Sequence, residues 1–186
     1  KFDAEPVVIM DIGGGSTEFI IASEKGVLWK KSYKLGISRI LQMLEPNDPL
    51  SDSDFDNLDK LFGSKLEELL EQCRYHQVKT LVGSSGSFDS FIEMIWAAKG
   101  EHKLASSIIS EEFNLKELEA LSRRLTTFDY QNRKAIPGLV EMRVDTIHLS
   151  SFLVQWVLKK CSLERLLLSS YALKEGVLHR ALDNQI

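Results

Sequence analysis

The sequence predicts an α/β fold: a five-stranded mixed sheet flanked by helices. Three observations point to it. Three strand-like runs follow one another near the start, later strands alternate with helical stretches, and two glycine–serine clusters each follow a strand. The chain has 186 residues, 44% of them hydrophobic and 27% charged, enough to bury a core without disulfide or metal staples.

Val7-Val8-Ile9-Met10 is apolar on both faces, as a central buried strand is. Gly13-Gly14-Gly15 forces a tight turn into a second strand over 17–22, rich in Thr, Phe and Ile. Glu24-Lys25-Gly26 makes a hairpin turn, and 27–33 completes an antiparallel meander. Lys30, Lys31 and Lys34, interleaved with Trp29 and Tyr33, read as solvated protection of a sheet edge.

Gly36 breaks the pattern, and Ser38 is placed to cap a short helix through Leu44. After Pro46 and Pro49, Asp52 or Ser53 opens one long amphipathic helix, with Phe55, Leu58, Leu61, Phe62, Leu66, Leu69 and Leu70 at helical spacing. Residues 79–82 form a fourth strand. The cluster Gly83-Ser84-Ser85-Gly86-Ser87 follows, then a helix through Ala98. A polar loop covers 99–107 and an extended segment 107–113. Asn114 caps a helix through Leu125, with Glu117 at the capping-box position. Asp145 is the expected N-cap of an apolar helix ending at Lys159. Leu166-Leu167-Leu168 is the fifth strand, and 172–181 the last helix.

A net charge of −4 argues against nucleic acid, whose binders present basic surfaces. No apolar run reaches the roughly 18–20 residues that span a bilayer, so no membrane partner is expected. Cys73 and Cys161 form neither a Cys-x-x-Cys pair nor a Cys/His cluster; they read as reduced, buried thiols of a cytoplasmic protein. The four histidines are scattered, and His148, among apolar residues, reads as packed. The first residue is not Met, 1–6 is no signal peptide, and strand residues begin at Val7. The chain is therefore expected to be part of something longer.

The chemistry concentrates in Asp11-Ile12-Gly13-Gly14-Gly15-Ser16-Thr17-Glu18. It lies between two strands, which separates it from the dinucleotide and Walker loops that open a helix. A glycine hairpin lets several backbone N–H groups approach an anion. Ser16 and Thr17 add hydroxyl donors, and each hydrogen bond to a charged group is worth about 1.5–3 kcal/mol. Asp11 and Glu18 flank this cradle. Acidic groups beside a phosphate call for a cation, and hard oxygen ligands suit Mg²⁺. The second cluster, Gly83 to Ser87, opens a helix, whose N-terminus attracts anions and makes a second jaw.

These residues resemble the Ppx/GppA phosphatases of the actin, sugar-kinase and heat-shock-chaperone superfamily. The carrying stretches are DIGGGSTEFI (11–20), VGSSGSFDS (82–90), IPGLVEMRVDTI (136–147) and LLSSYALKEGVLHR (167–180). The resemblance implies an actin-like ATPase (ribonuclease H-like) lobe of a two-lobed enzyme. Such enzymes remove terminal phosphate from polyphosphate, or the γ-phosphate of guanosine pentaphosphate, with Mg²⁺. The carboxylates matching Asp11 and Glu18 then serve the metal or orient the attacking water. The loops matching Gly13, Gly14, Gly15, Ser16 and Thr17, and Gly83, Ser84, Ser85, Gly86 and Ser87, hold phosphate. The arginine matching Arg143 faces the polyanion, although on its own Arg143 equally suits a surface ion pair.

The family's first lobe, with its own phosphate loop and the carboxylate thought to act as general base, has no counterpart in these residues. The N-terminal lobe is thus the expected partner, the lobe alone is expected to be nearly inactive, and the general base is not assigned. The exposed cleft face leaves a homodimer open. Two rival readings stand: a non-catalytic phosphate- or nucleotide-binding module of actin type, and a kinase lobe of the same superfamily.

Overall fold

A computed structural model describes residues 5–169. Strands β1 (Val7–Ile12), β2 (Thr17–Ser23) and β3 (Gly26–Tyr33) form the expected meander. Then come helices α1 (Ile37–Leu44), α2 (Asp52–Lys65) and α3 (Glu67–Tyr75), strand β4 (Thr80–Ser84) and helix α4 (Gly86–Ala98). The short strand β5 (Ser110–Glu112), helices α5 (Leu115–Thr127), α6 (Tyr130–Lys134) and α7 (Ile147–Lys160), and strand β6 (Arg165–Ser169) complete the described chain. The sheet order is β3-β2-β1-β4-β6-β5. β1, β4 and β6 run parallel at its centre, with antiparallel strands on both sides.

Side-chain alternation sorts the sheet's faces. Met10 of β1, Phe19 and Ile21 of β2, Leu81 of β4 and Leu166 and Leu168 of β6 are fully buried and belong to the core with Phe62, Leu69 and Phe88. The opposite phase in β1 and β2 holds Ile9, Asp11, Glu18 and Ile20, all half-buried. β3 is the edge, and its lysines are exposed as expected.

The structure corrects several local expectations. The sheet has six strands, because the extended segment 107–113 supplies β5, paired with β6. The long helix is two helices, parted at Leu66 (φ −103°, ψ 14°). Gly63 and Ser64, weak helix formers, precede the break, and the bend keeps Phe62, Leu66 and Leu69 all buried. Its N-cap is Ser51, in a reciprocal capping box with Asp54. Ser38 does not cap α1: it lies inside the first turn, after Gly36. Thr146, not Asp145, occupies the N-cap position of α7, and its side chain caps no N–H of the helix. Asn114 does cap α5, accepting from the N–H groups of Lys116 and Glu117, while the Glu117 carboxylate pairs with Lys99 at 2.8 Å. The helix expected over 172–181 lies outside the described residues. Among those residues no helix is long and apolar enough to cross a membrane.

The parallel pairing of β1 with β4 sets Asp11 beside Ser84. The turns that follow these strands therefore emerge at the same end of the sheet.

Candidate phosphate site

The first turn is built by its own backbone. The Gly13 N–H donates to the Ser16 carbonyl at 2.9 Å. The first turn of α1 then secures the loop's carbonyls: Ile37 N–H donates to Gly13 O at 3.0 Å and Arg39 N–H to Gly14 O at 3.1 Å. Gly36 lies against the peptide that follows Gly15, where a Cβ would sit 2.2–2.3 Å from backbone atoms of Gly15 and Ser16. With the carbonyls thus engaged, the N–H groups of Gly14, Gly15 and Ser16 donate to no protein group among the described residues. Unpaired amides on a glycine loop make a concavity for an anion.

The second jaw is fixed across the fold. Gly83 and Ser84 are the last residues of β4, not loop residues, because they pair with Met10 and Asp11. A Cβ on Gly83 would lie 2.2 Å from the Phe88 ring, so its bareness seats a core side chain. Ser85 turns the chain into α4 at φ 107°, a strained value for a side-chain-bearing residue. Its hydroxyl meets Ile12, 3.3 Å from the N–H and 3.4 Å from the carbonyl, tying the jaws together. Because Ser85 makes no side-chain cap, the Gly86 and Ser87 amides at the start of α4 are uncovered among the described residues.

Arg143 belongs to this jaw. A Cβ on Gly86 would lie 1.8 Å from an Arg143 Nη, so the guanidinium rests against bare backbone at the start of α4. Among the described residues it forms no ion pair. The nearest acids act at longer range. Burial and Glu93 hold the Asp89 carboxyl above its ordinary value, and Arg143 partly offsets them.

A pocket of about 160 Å³ opens between the jaws. It unites Gly13, Gly14, Ser87 and Arg143 with three hydroxyl residues that sequence reasoning missed: Ser38, Thr146 and Ser150. Ser87 donates to Ser150 at 3.2 Å, an α4–α7 bond between residues 63 positions apart. No sequence signal marks Ser150, which looks like any small residue in an apolar helix. Arg39, also missed, is exposed and donates from Nε to Gly15 O at 3.0 Å.

Other expected residues stand outside this pocket. Gly15 and Ser16 form the hairpin tip. Thr17 is fully buried, and its hydroxyl donates to Leu35 O at 2.8 Å, so it braces the strand and offers nothing to an anion. Asp11 and Glu18 are directly opposed across β1 and β2. Like charges so placed repel, and a cation between them would relieve this. Glu18 also accepts from Ser32 at 2.6 Å. No group of three or more metal-ligating side chains is assembled among the described residues. Two carboxylates fit a Mg²⁺ ion that keeps several waters, not an all-protein cage.

Behind the site, His148 in the first turn of α7 is 3% exposed. Burial, assisted by Arg133, pulls its pKa down to about 4. It is a packed neutral side chain, as expected.

Comparison with known proteins bears on this geometry. The Ppx/GppA phosphatase family model matches residues 2–185. The crystal structure of an exopolyphosphatase from Cytophaga hutchinsonii shares 32% identity at a TM-score of 0.92, covering 98% of this chain and 58% of that one. A Ppx/GppA family member from Aquifex aeolicus aligns at 17% identity and a TM-score of 0.80, with coverages of 98% and 58%. An exopolyphosphatase-like protein matches at 18% identity and a TM-score of 0.84, with coverages of 99% and 62%. The chain thus spans 58–62% of the length of these solved proteins.

Proposed function

The chain belongs to the Ppx/GppA phosphatase family, and on that premise we propose that it is the phosphate-gripping lobe of a phosphoanhydride hydrolase. Its substrate is inorganic polyphosphate or guanosine pentaphosphate, which present the same terminal anhydride. One observation carries the reading: Gly14, whose amide donates to no protein group among the described residues, and Arg143, which forms no ion pair among them, line one 160 Å³ pocket.

Phosphoryl transfer to water asks mainly for positioning and charge stabilisation. A water oxygen attacks the terminal phosphorus, the bridging P–O bond breaks, and the chain one phosphate shorter leaves with the bond's electrons. In this reading the loop amides and Arg143 take up negative charge on the non-bridging oxygens. Ser38, Ser87, Thr146 and Ser150 orient the group by hydrogen bonds. Asp11 and Glu18 would hold Mg²⁺, which when bound offsets charge on the phosphates. The proton acceptor for the water is assigned to the opposite lobe of the full-length enzyme, so this lobe alone is nearly inactive. The pocket's openness to solvent and the 58% share of a solved relative's length support that division. Buried free thiols at Cys73 and Cys161 are in keeping with a cytoplasmic enzyme.

Calorimetry with tripolyphosphate tests the site. Arg143→Gln is expected to weaken binding with or without Mg²⁺, whereas Asp11→Ala and Glu18→Ala weaken only the Mg²⁺-dependent part. Native affinity in all three variants would sink the assignment. Orthophosphate release from long-chain polyphosphate, compared between this chain and the same chain joined to the rest of its protein, tests the division of labour. Equal turnover would place the base within this chain, with Glu18 examined first.

A further inference from the structure

The largest fully buried side chain outside the site is charged. Arg133 in α6 is 1% exposed, and its fork reaches three separate segments. Nη1 and Nη2 donate to the two Asp48 carboxylate oxygens at 2.5 and 3.1 Å, in the loop between α1 and α2. Nη1 also donates to Phe128 O at 2.6 Å, and Nε to Val144 O at 3.0 Å. Asp48 accepts in addition from the Tyr130 N–H at 2.9 Å.

Val144 directly follows Arg143. The residues around it form one hydrogen-bonded unit: Arg143 N–H donates to Val140 O, Val144 N–H to Glu141 O, and Thr146 N–H to Arg143 O, all at 3.0–3.1 Å. Three residues of this turn, Met142, Arg143 and Thr146, line the phosphate pocket. A buried ion pair adds little net stability over apolar groups of the same volume. A guanidinium's planar fork does impose direction on each acceptor. A clamp of this kind fixes where the Val144 carbonyl sits, and therefore where the preceding side chain starts.

We propose that Arg133 and Asp48 form a positioning pair for the phosphate site, holding the 140–146 turn so that the Arg143 guanidinium lies against Gly86. The inference rests on the phosphate-site reading above. Arg133 touches no substrate and acts through Arg143.

The test is a double-mutant cycle on this chain, read by calorimetry with tripolyphosphate and accompanied by thermal unfolding. Arg133→Met keeps much of the volume and removes the donors. It is expected to weaken binding about tenfold in the native background, the equivalent of one hydrogen bond to a charged group. In the Arg143→Gln background it should change binding less than about twofold, because nothing is left to position. An equal loss in both backgrounds would show general damage to the pocket and overturn the proposal, as would native affinity in Arg133→Met alone. If Arg133→Met does not fold, Asp48→Asn is carried through the same cycle under the same criteria. Should Arg143→Gln itself leave affinity unchanged, the phosphate site fails and the clamp with it. Should Arg143→Gln bind weakly while the clamp variants bind normally, only the clamp fails.

Discussion

The glycine hairpin and the start of α4 face one pocket but are held by different kinds of contact. The hairpin is secured by backbone groups no more than 25 residues away: Gly13 to Ser16, then Ile37 and Arg39 to the loop's carbonyls. The α4 jaw is secured by side chains from distant parts of the chain. Ser85 meets Ile12 across 73 positions, Ser87 meets Ser150 across 63, and Arg143 lies over Gly86. A jaw made of local backbone bonds forms with its hairpin. A jaw made of remote side chains exists only when α4 and α7 are packed. The first should therefore respond to steric insult, the second to anything that moves a side chain.

The sharpest way to break this contrast is at Gly36. The atoms a Cβ would meet are backbone, 2.2–2.3 Å away, and cannot swing aside. Gly36→Ala is expected to cost about 3 kcal/mol and to abolish tripolyphosphate binding, as denaturant unfolding and calorimetry would record. Native behaviour would show the hairpin to be looser than its hydrogen bonds imply.

A proton should loosen the second jaw from below. His148 stands between Thr146 and Ser150 in α7, facing Arg133 and Asp48. Its folded pKa of about 4 lies below its ordinary value of 6.5. Between these values the unfolded chain binds the extra proton, so stability rises with pH and falls on acidification from about 6.5 toward 4. His148 contributes about 3 kcal/mol to that loss by pH 4. Unfolding of His148→Leu across this window should show a shallower pH dependence than the native chain, since carboxylates contribute to both. Parallel curves would contradict the buried neutral imidazole.

Gly86→Ala probes the α4 jaw more gently. What a Cβ meets there is the tip of a flexible arginine, 1.8 Å away. The guanidinium must move, so tripolyphosphate affinity is expected to fall about tenfold, the loss of one charged hydrogen bond. Stability should change by less than about 1 kcal/mol. A large loss of stability with intact affinity would reverse the roles drawn for the two jaws.

The smallest effect is expected within the motif itself. A Cβ on Gly15 meets nothing within 4 Å, and its φ is not in the left-handed region. Gly15→Ala should alter stability by no more than about 0.5 kcal/mol and bind nearly as the native chain does. Gly13 and Gly14 are tighter, with contacts of 3.0 Å to Ser16 O and 3.2 Å to the Ser38 hydroxyl. Three glycines that look equivalent in sequence are thus unequal in space.

What the sequence by itself determined was local. The apolar run of Val7 to Met10, the glycine turn and the alternating run after it specify a meander, because strand and turn preferences act over a few residues. The opposition of Asp11 and Glu18 follows from the same hairpin. Even the resemblance to a phosphatase family was carried by short contiguous stretches. Only the tertiary structure decided which of these residues face one another. It turned Thr17 inward to Leu35, gave Gly83 to Phe88, and brought Ser38, Thr146 and Ser150 to a pocket that nothing in their spacing announces. It also laid Arg143 against Gly86 and set Arg133 behind it. Such contacts join residues up to 85 positions apart. They are selected by the packing of whole helices on a sheet, and side-chain direction in that packing is not written in the period of any one element.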